Sequence, residues 1–176
     1  MFPVTASPAY DAAIRAVVAL VSKARVESLF VGSIARAAYL GGGPVASGSI
    51  DAVALVAPEQ KNQVVMMAKN RGFAVDREEI EASEELDLIP LKFEGLRVHL
   101  LVASNALYGR MFAEAAEATV AGEPARVPRI EDFALLLQMG NDVTGLMALT
   151  ASPGFDREAY NRKLVSIGLG ELVIPE

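Results

Sequence analysis

The stretch of sequence that decides the fold is Val31-Gly32-Ser33, followed after a glycine-rich interruption by Ser49-Ile50-Asp51-Ala52-Val53. The mostly apolar residues from 27 to 31 are typical of a short buried strand, which Gly32 and Ser33 end. Residues 34–40 have the composition of a brief helix, and residues 49–56 are rich in apolar and β-branched side chains, as in a strand. The pattern therefore predicts a helix start beside an acidic strand. Backbone donors at a helix start can hold a phosphate group.

Hydrophobic periodicity and chain breaks predict the remaining elements. Gly41-Gly42-Gly43-Pro44 cannot continue a helix and predicts a loop. The acidic stretch over 76–85 predicts a polar, solvated edge. Further helices are expected over 8–24, 58–70, 108–115, 130–139, 143–149 and 155–167, and further strands over 86–93, 96–102 and, as a pair, within 119–127.

These elements predict an α+β fold with one mixed sheet of about five strands flanked by helices. A C-terminal helical section follows the sheet. We expect an α/β core over residues 1–128 and the helical section, packed on that core, over residues 129–176. Within the section, the apolar stripes predict core positions or a subunit interface at Leu135, Leu136, Met139, Leu146 and Met147.

Composition excludes several classes of protein. The chain has 176 residues, of which 52% are hydrophobic and 22% charged, so it can bury a core and is not globally disordered. Its formal net charge of −6 disfavours long nucleic acids as partners. It contains no Cys, which excludes disulfides and thiolate zinc sites and favours the cytoplasm. The apolar run from Ala12 to Val21 is interrupted by Arg15 and too short to span a bilayer.

Several short motifs, taken in order, resemble those of the minimal nucleotidyltransferase superfamily, especially its bacterial toxin–antitoxin and abortive-infection branch. They are Leu29 to Ser33, the Gly43-Pro44 loop, the strand through Asp51, Arg97-Val98-His99-Leu100-Leu101 and Glu131-Asp132-Phe133. The resemblance implies a nucleotidyltransferase fold. It also implies transfer of a nucleotide from a nucleoside triphosphate to a hydroxyl group, with two metal ions held by paired carboxylates and a third acid from a neighbouring strand.

The acidic pair that the resemblance implies is broken in this chain. Side chains two apart in a strand face the same side, so the pattern acid, apolar, acid aims two carboxylates at one point. If Asp51 is the first acid, Val53 replaces the second; if Asp51 is the second, Ser49 replaces the first. The spacing from Pro44 fits the second register better, and both registers stay open at the level of sequence.

Three further positions depart from the family pattern. Val45 stands where an Arg is expected after the loop proline, and Leu137 stands where relatives carry a Lys in the C-terminal helix. The third acid falls on His99, the only histidine. A single remaining carboxylate binds two magnesium ions poorly, because hard cations need several oxygen ligands. The sequence therefore predicts a catalytically inactive member, a pseudoenzyme.

The candidate site residues follow from this comparison. Gly32, Ser33 and Ser49 are predicted to bind a nucleotide, and Asp51 is the catalytic residue if the chain is active. Asp51 and His99 are the predicted metal ligands, for Mg or Mn if the chain is active. The simpler alternative makes Ser33 an ordinary N-cap and His99 a structural histidine.

Two acidic residues near the predicted hairpin offer replacement ligands. Asp87 and Glu94 lie at the ends of the strands over 86–102, where they supply the missing carboxylates or are merely solvated.

Three functions remain open on sequence alone. The first is a degenerate nucleotidyltransferase-like protein that retains nucleotide binding or a regulatory role, with a nucleotide, a protein or a second copy as partner. The second is an active transferase that modifies a protein, RNA or small-molecule hydroxyl through Asp51 and replacement ligands. The third is a protein-interaction module whose old cleft is filled by Val53, Leu55 and Leu101.

Overall fold

A computed structural model describes residues 1–2, 4, 6–41, 49–82, 87–103 and 106–170. The predicted loop at 42–44, Val45 and the acidic positions 84 and 85 lie outside these residues. The helices are α1 Pro8–Ala24, α2 Gly32–Leu40, α3 Lys61–Lys69, α4 Arg77–Ala82, α5 Ala106–Ala113, α6 Ile130–Met139, α7 Val143–Thr150 and α8 Arg157–Ser166, with a 3₁₀ turn at Pro58–Gln60. The strands are β1 Ser28–Phe30, β2 Ser49–Ala54, β3 Leu88–Phe93, β4 Leu96–Val102, β5 Ala116–Val120 and β6 Glu123–Val127.

The strands form a mixed four-stranded sheet, in the order β1-β2-β4-β3, and a separate hairpin of β5 and β6. In the sheet β2 runs parallel to β4, while β1 and β3 pair antiparallel with their neighbours. The expected α+β fold with a mixed sheet flanked by helices is confirmed; in the described residues that sheet has four strands rather than about five, and β5 and β6 pair with each other. The hairpin buries Val120 and Val127 in the main core instead of extending the sheet ladder.

Helix α1 begins and ends as the sequence predicts. Ser7 is the N-cap and its hydroxyl accepts from the Tyr10 backbone N–H, Pro8 follows in the first turn, and Arg25 ends the helix in a left-handed conformation. The apolar face of α1 lies in the core. This packing places the first turn of α1 beside α2 and β2, where Tyr10 forms its hydrogen bonds.

The two faces of β2 differ as a half-exposed strand requires. Ile50, Ala52 and Ala54 are fully buried on one face, whereas Ser49 and Asp51 are half-buried on the other. The parallel register places Asp51 directly opposite His99 of β4. A parallel pair needs a long crossover, and the segment containing α3, α4 and β3 supplies it.

The acidic stretch after residue 75 was expected to be a polar, solvated edge, and Glu78 and Glu79 are exposed as expected. Its first part is also helical, which the sequence interpretation did not assign. Residues 77–82 form α4, which Asp76 caps by accepting hydrogen bonds from the backbone N–H groups of Glu78 and Glu79 at 2.9 and 3.3 Å. Glu79 then pairs with Lys92 of β3 at 2.7 Å. An acidic N-cap followed by acidic residues favours a helix start, and that signal was present in the sequence.

The C-terminal helices contribute part of their predicted apolar stripes to the main core. Leu135 and Leu146 are buried in the main core and Leu136 is half-buried, as predicted. Met139 and Met147 are exposed, so their core placement is wrong. They lie at the solvent side of α6 and α7, because each helix has one face turned away from the core. The division at residue 128 stays a prediction. No helix in the described residues is both long and apolar enough to cross a bilayer.

Candidate functional site

The turn between β1 and α2 brings the chain against Asp51. The Val31 backbone N–H donates to the Asp51 carbonyl at 2.9 Å, which ties the end of β1 to β2. Gly32 then turns with a positive φ of 57°. A Cβ atom at this position would lie 2.8 Å from Asp51 Oδ2. Only glycine fits both the left-handed backbone and the close carboxylate, so the glycine of the predicted motif has a direct structural cause.

The carboxylate of Asp51 is held by two side chains. His99 Nδ1 lies 2.8 Å from Oδ1, and the Ser49 hydroxyl donates to Oδ2 at 3.4 Å. An ionised carboxylate can only accept, so in that state Nδ1 carries the proton and Nε2 points away from the pair. The side chains of Asp51 and His99 are 25% and 34% exposed. The structure thus brings the predicted residues Ser49, Asp51 and His99 together at a partly exposed site.

A buried tyrosine links the two predicted serines of the site. The Tyr10 hydroxyl donates to the Ser49 carbonyl at 3.0 Å and lies 3.1 Å from the Ser33 hydroxyl. Sequence reasoning missed Tyr10, because an aromatic residue near the start of an amphipathic helix is ordinarily core. Its polar contact depends on how α1 packs across the sheet, and no local pattern encodes that.

The structure distinguishes the two registers of the acidic strand. Val53 is buried in a second apolar cluster, separate from the main core, so a carboxylate at this position would lie among hydrocarbon side chains. Ser49 is half-buried and contacts Asp51, so its position is the one where a second carboxylate would face the cleft. The other buried members of the cluster are Leu29, Val31, Met111 and Phe112.

The residues present do not fit a pair of magnesium ions. Asp51 and His99 contribute one carboxylate and one imidazole, whereas magnesium prefers oxygen ligands. Across the described ranges, no group of three or more His, Cys, Asp or Glu side chains is arranged to hold a metal ion. Asp87 and Glu94 are exposed at the two ends of β3 and do not complete such a group.

The third hypothesis, an interaction module, requires Val53, Leu55 and Leu101 to fill the old cleft, and the structure shows this only in part. Val53 is buried and Leu101 packs partly against the same cluster. Leu55 is exposed beyond the end of β2. The side chains of Asp51 and His99 therefore stay partly exposed to solvent.

A second charged cluster, which sequence reasoning did not assign, joins α5, α6 and α8. Glu131 and Asp132 begin α6 and are only 2% and 1% exposed. Lys163 Nζ lies 2.9 Å from Asp132 and 2.9 Å from Glu114, and Arg129 lies 3.7 Å from Glu131. One oxygen of each buried carboxylate has no hydrogen-bond partner among the described groups. The cluster lines a cavity of about 360 Å³.

Burial and pairing oppose each other in this cluster. Burial raises the pKa of Asp132, and the hydrogen bond from Lys163 works against that rise. A second hydrogen bond from Lys163, to Glu114, lowers the pKa of Glu114. Burial would lower the pKa of Lys163, but hydrogen bonds to Asp132 and Glu114 carry it above its usual value. Lys163 therefore stays charged and holds two carboxylates together.

Solved structures similar to this one share its architecture. The antibiotic-resistance factor ANT(2'')-Ia in solution superposes with a TM-score of 0.58 at 15% identity, covering 90% of this chain and 95% of that one. The lincosamide antibiotic adenylyltransferase LnuA bound to lincomycin gives 0.55 at 12% identity, covering 78% and 94%. The chain has the nucleotidyltransferase fold. No protein-family model and no curated protein matches its sequence.

The chain is also similar to ANT(2'')-Ia in complex with adenylyl-2''-tobramycin. The TM-score is 0.52 at 14% identity, over 90% of this chain and 93% of that one. Identities this low establish the fold alone. The predicted roles of Gly32, Ser33, Ser49, Asp51 and His99 therefore stay predictions, and so does the kinship with toxin–antitoxin proteins.

Proposed function

We propose that the chain is a pseudoenzyme that binds a nucleotide at the start of α2 beside Asp51, does not transfer it, and serves a regulatory role. One observation carries the proposal. Among the described residues Asp51 is the one acid of the site, and it is bonded to His99 at 2.8 Å where two-metal transfer needs further carboxylates.

The start of α2 supports the binding half of the proposal. Val31 is the N-cap, and its apolar side chain forms no capping hydrogen bond. Gly32 and Ser33 are half-exposed at this point. The backbone N–H groups and the helix dipole at such a start attract a phosphate group. The similar structures add support, since one is named an adenylyltransferase and another contains an adenylylated antibiotic.

The donor set supports the second half. Transfer by two metal ions needs ligands that bridge both ions and neutralise the leaving pyrophosphate. Asp51 offers a single carboxylate, and Ser49 and His99 add a hydroxyl and an imidazole. These groups can orient one another but supply too few negative oxygens for two magnesium ions.

The proposal is tested by calorimetric titration of wild type and of the Asp51→Asn variant with ATP and GTP in a chelating buffer. Wild type should bind at least one of them saturably. The Asp51→Asn variant should bind it about fivefold more tightly, because removing a negative charge about 4 Å from a phosphate is worth about 1 kcal/mol in water. Asn keeps the size and an acceptor for His99, so the fold should be unaffected.

Asp76→Asn is the matched control, because it removes the same charge at the exposed cap of α4 and keeps a good capping side chain. Its affinity for the nucleotide should equal that of wild type. Weaker binding in Asp51→Asn, or binding that requires magnesium and is lost with the acid, would refute the proposal in favour of an active transferase. Absence of binding to any nucleotide would favour the interaction module.

A further inference from the structure

We infer that Tyr10 is a positioning residue that fixes the two serines of the proposed nucleotide site relative to each other, an inference that rests on the proposed function. Its hydroxyl reaches Ser33 in the first turn of α2 and the backbone of Ser49 at the start of β2. Through these hydrogen bonds α1 contacts both the start of α2 and the start of β2.

The location of Tyr10 is firmly determined. It lies in the first turn of α1, where the Ser7 cap accepts from its backbone N–H at 3.3 Å, and its side chain is 4% exposed. A buried hydroxyl must find partners, because desolvation without a hydrogen bond is costly. Here both partners belong to the site rather than to the rest of the core.

The chemistry of the partners fixes the direction of the hydrogen bonds. The Ser49 carbonyl can only accept, so the single hydroxyl proton of Tyr10 goes to it. The contact with Ser33 then uses the proton of Ser33. The Ser33 hydroxyl is therefore oriented toward Tyr10, and a phosphate at the start of α2 would meet backbone N–H groups in a turn that this bond holds in place.

Tyr160 provides a matched comparison for the purely structural alternative. It is fully buried on α8 and its hydroxyl donates to Gln138 of α6, among the C-terminal helices. Replacing either tyrosine with Phe removes one buried hydroxyl and its hydrogen bond, so both variants should lose similar thermal stability. They differ in that only Tyr10 contacts the proposed site.

The test measures two dissociation constants for each of the variants Tyr10→Phe and Tyr160→Phe. One is for the nucleotide that binds wild type, and the other is for inorganic triphosphate. Tyr10→Phe should weaken both ligands about fivefold, since the lost bonds order the turn that meets the phosphates. Tyr160→Phe should leave both constants unchanged. Adding Ser33→Ala to Tyr10→Phe should weaken binding less than the sum of the single effects, because both act through one bond.

Hydrogen exchange on the unliganded chain gives a second readout. Amides of residues 32–35 and 49–51 should exchange faster in Tyr10→Phe than in Tyr160→Phe. Unchanged or tighter binding in Tyr10→Phe, or equal exchange in the two variants, would overturn the inference. If wild type bound no nucleotide, the proposed function itself would fail, and Tyr10 would have no nucleotide to position. If wild type bound a nucleotide and Tyr10→Phe bound it equally well, only the inference about Tyr10 would fail.

Discussion

Replacing Val53 with Asp should lower the free energy of unfolding by about 4 kcal/mol or more, or prevent folding, because an unpaired carboxylate would enter an apolar cluster. Val53 is 1% exposed and packs with Leu29, Val31, Met111 and Phe112. Ser49→Asp places the same group four residues earlier on the same strand face, beside the partly exposed Asp51. That variant should lose less than about 2 kcal/mol, mainly through repulsion from Asp51.

Urea unfolding of both variants, followed by circular dichroism, measures this difference directly. Val53→Ala serves as the control for lost packing and should cost less than Val53→Asp, since it adds no charge. Equal stability of Val53→Asp and Ser49→Asp would contradict the assignment of the cleft to the Ser49 side. It would also reopen the register in which Asp51 is the first acid of the pair.

Replacing Lys163 with Met should lower the free energy of unfolding by about 3–5 kcal/mol, the usual cost of leaving a buried charge without its partner. Asp132 is almost fully buried and Lys163 Nζ lies 2.9 Å from it and 2.9 Å from Glu114. Met keeps most of the apolar stem, so the loss reports the charge rather than the packing.

Lys92→Met is the matched control. Lys92 pairs with Glu79 at 2.7 Å, but both side chains are largely exposed, and such pairs contribute about 0–1 kcal/mol. A loss in Lys163→Met no larger than that in Lys92→Met would show that the cluster does not join α5, α6 and α8. In a background that carries Asp132→Asn, Lys163→Met should cost less stability than it does in the wild-type background, because the unpaired charge of Asp132 is then absent.

Local sequence signals were sufficient for most elements. Hydrophobic periodicity predicted α1 from Pro8 onward, and the glycine at position 140 marked the end of α6. The Gly32-Ser33 turn was found because glycine and a small polar residue interrupt an apolar run. The sequence also allowed Ser49 and Val53 to be compared with the acids of the family pattern, since side chains two apart on a strand must share a face; the loss of those acids stays a prediction.

Features that depend on distant contacts were not predictable in the same way. Whether β5 and β6 join the main sheet is decided by how Val120 and Val127 pack, and the strand pattern is the same in either case. The contacts of Tyr10 and Lys163 cross between elements far apart in the chain. The pairing of Asp51 with His99 required the parallel register of β2 and β4, for which the sequence offered only a family resemblance.

The measurement that tests the central claim most directly is transfer from labelled ATP, CTP, GTP or UTP with magnesium or manganese, scored as released pyrophosphate and labelled acceptor. Suitable acceptors are the chain itself, total RNA, tobramycin and lincomycin. At nucleotide concentrations that saturate binding, wild type should give no more product than the Asp51→Asn variant. Labelled acceptor together with pyrophosphate in wild type, lost in Asp51→Asn, would contradict the account and establish the chain as an active nucleotidyltransferase.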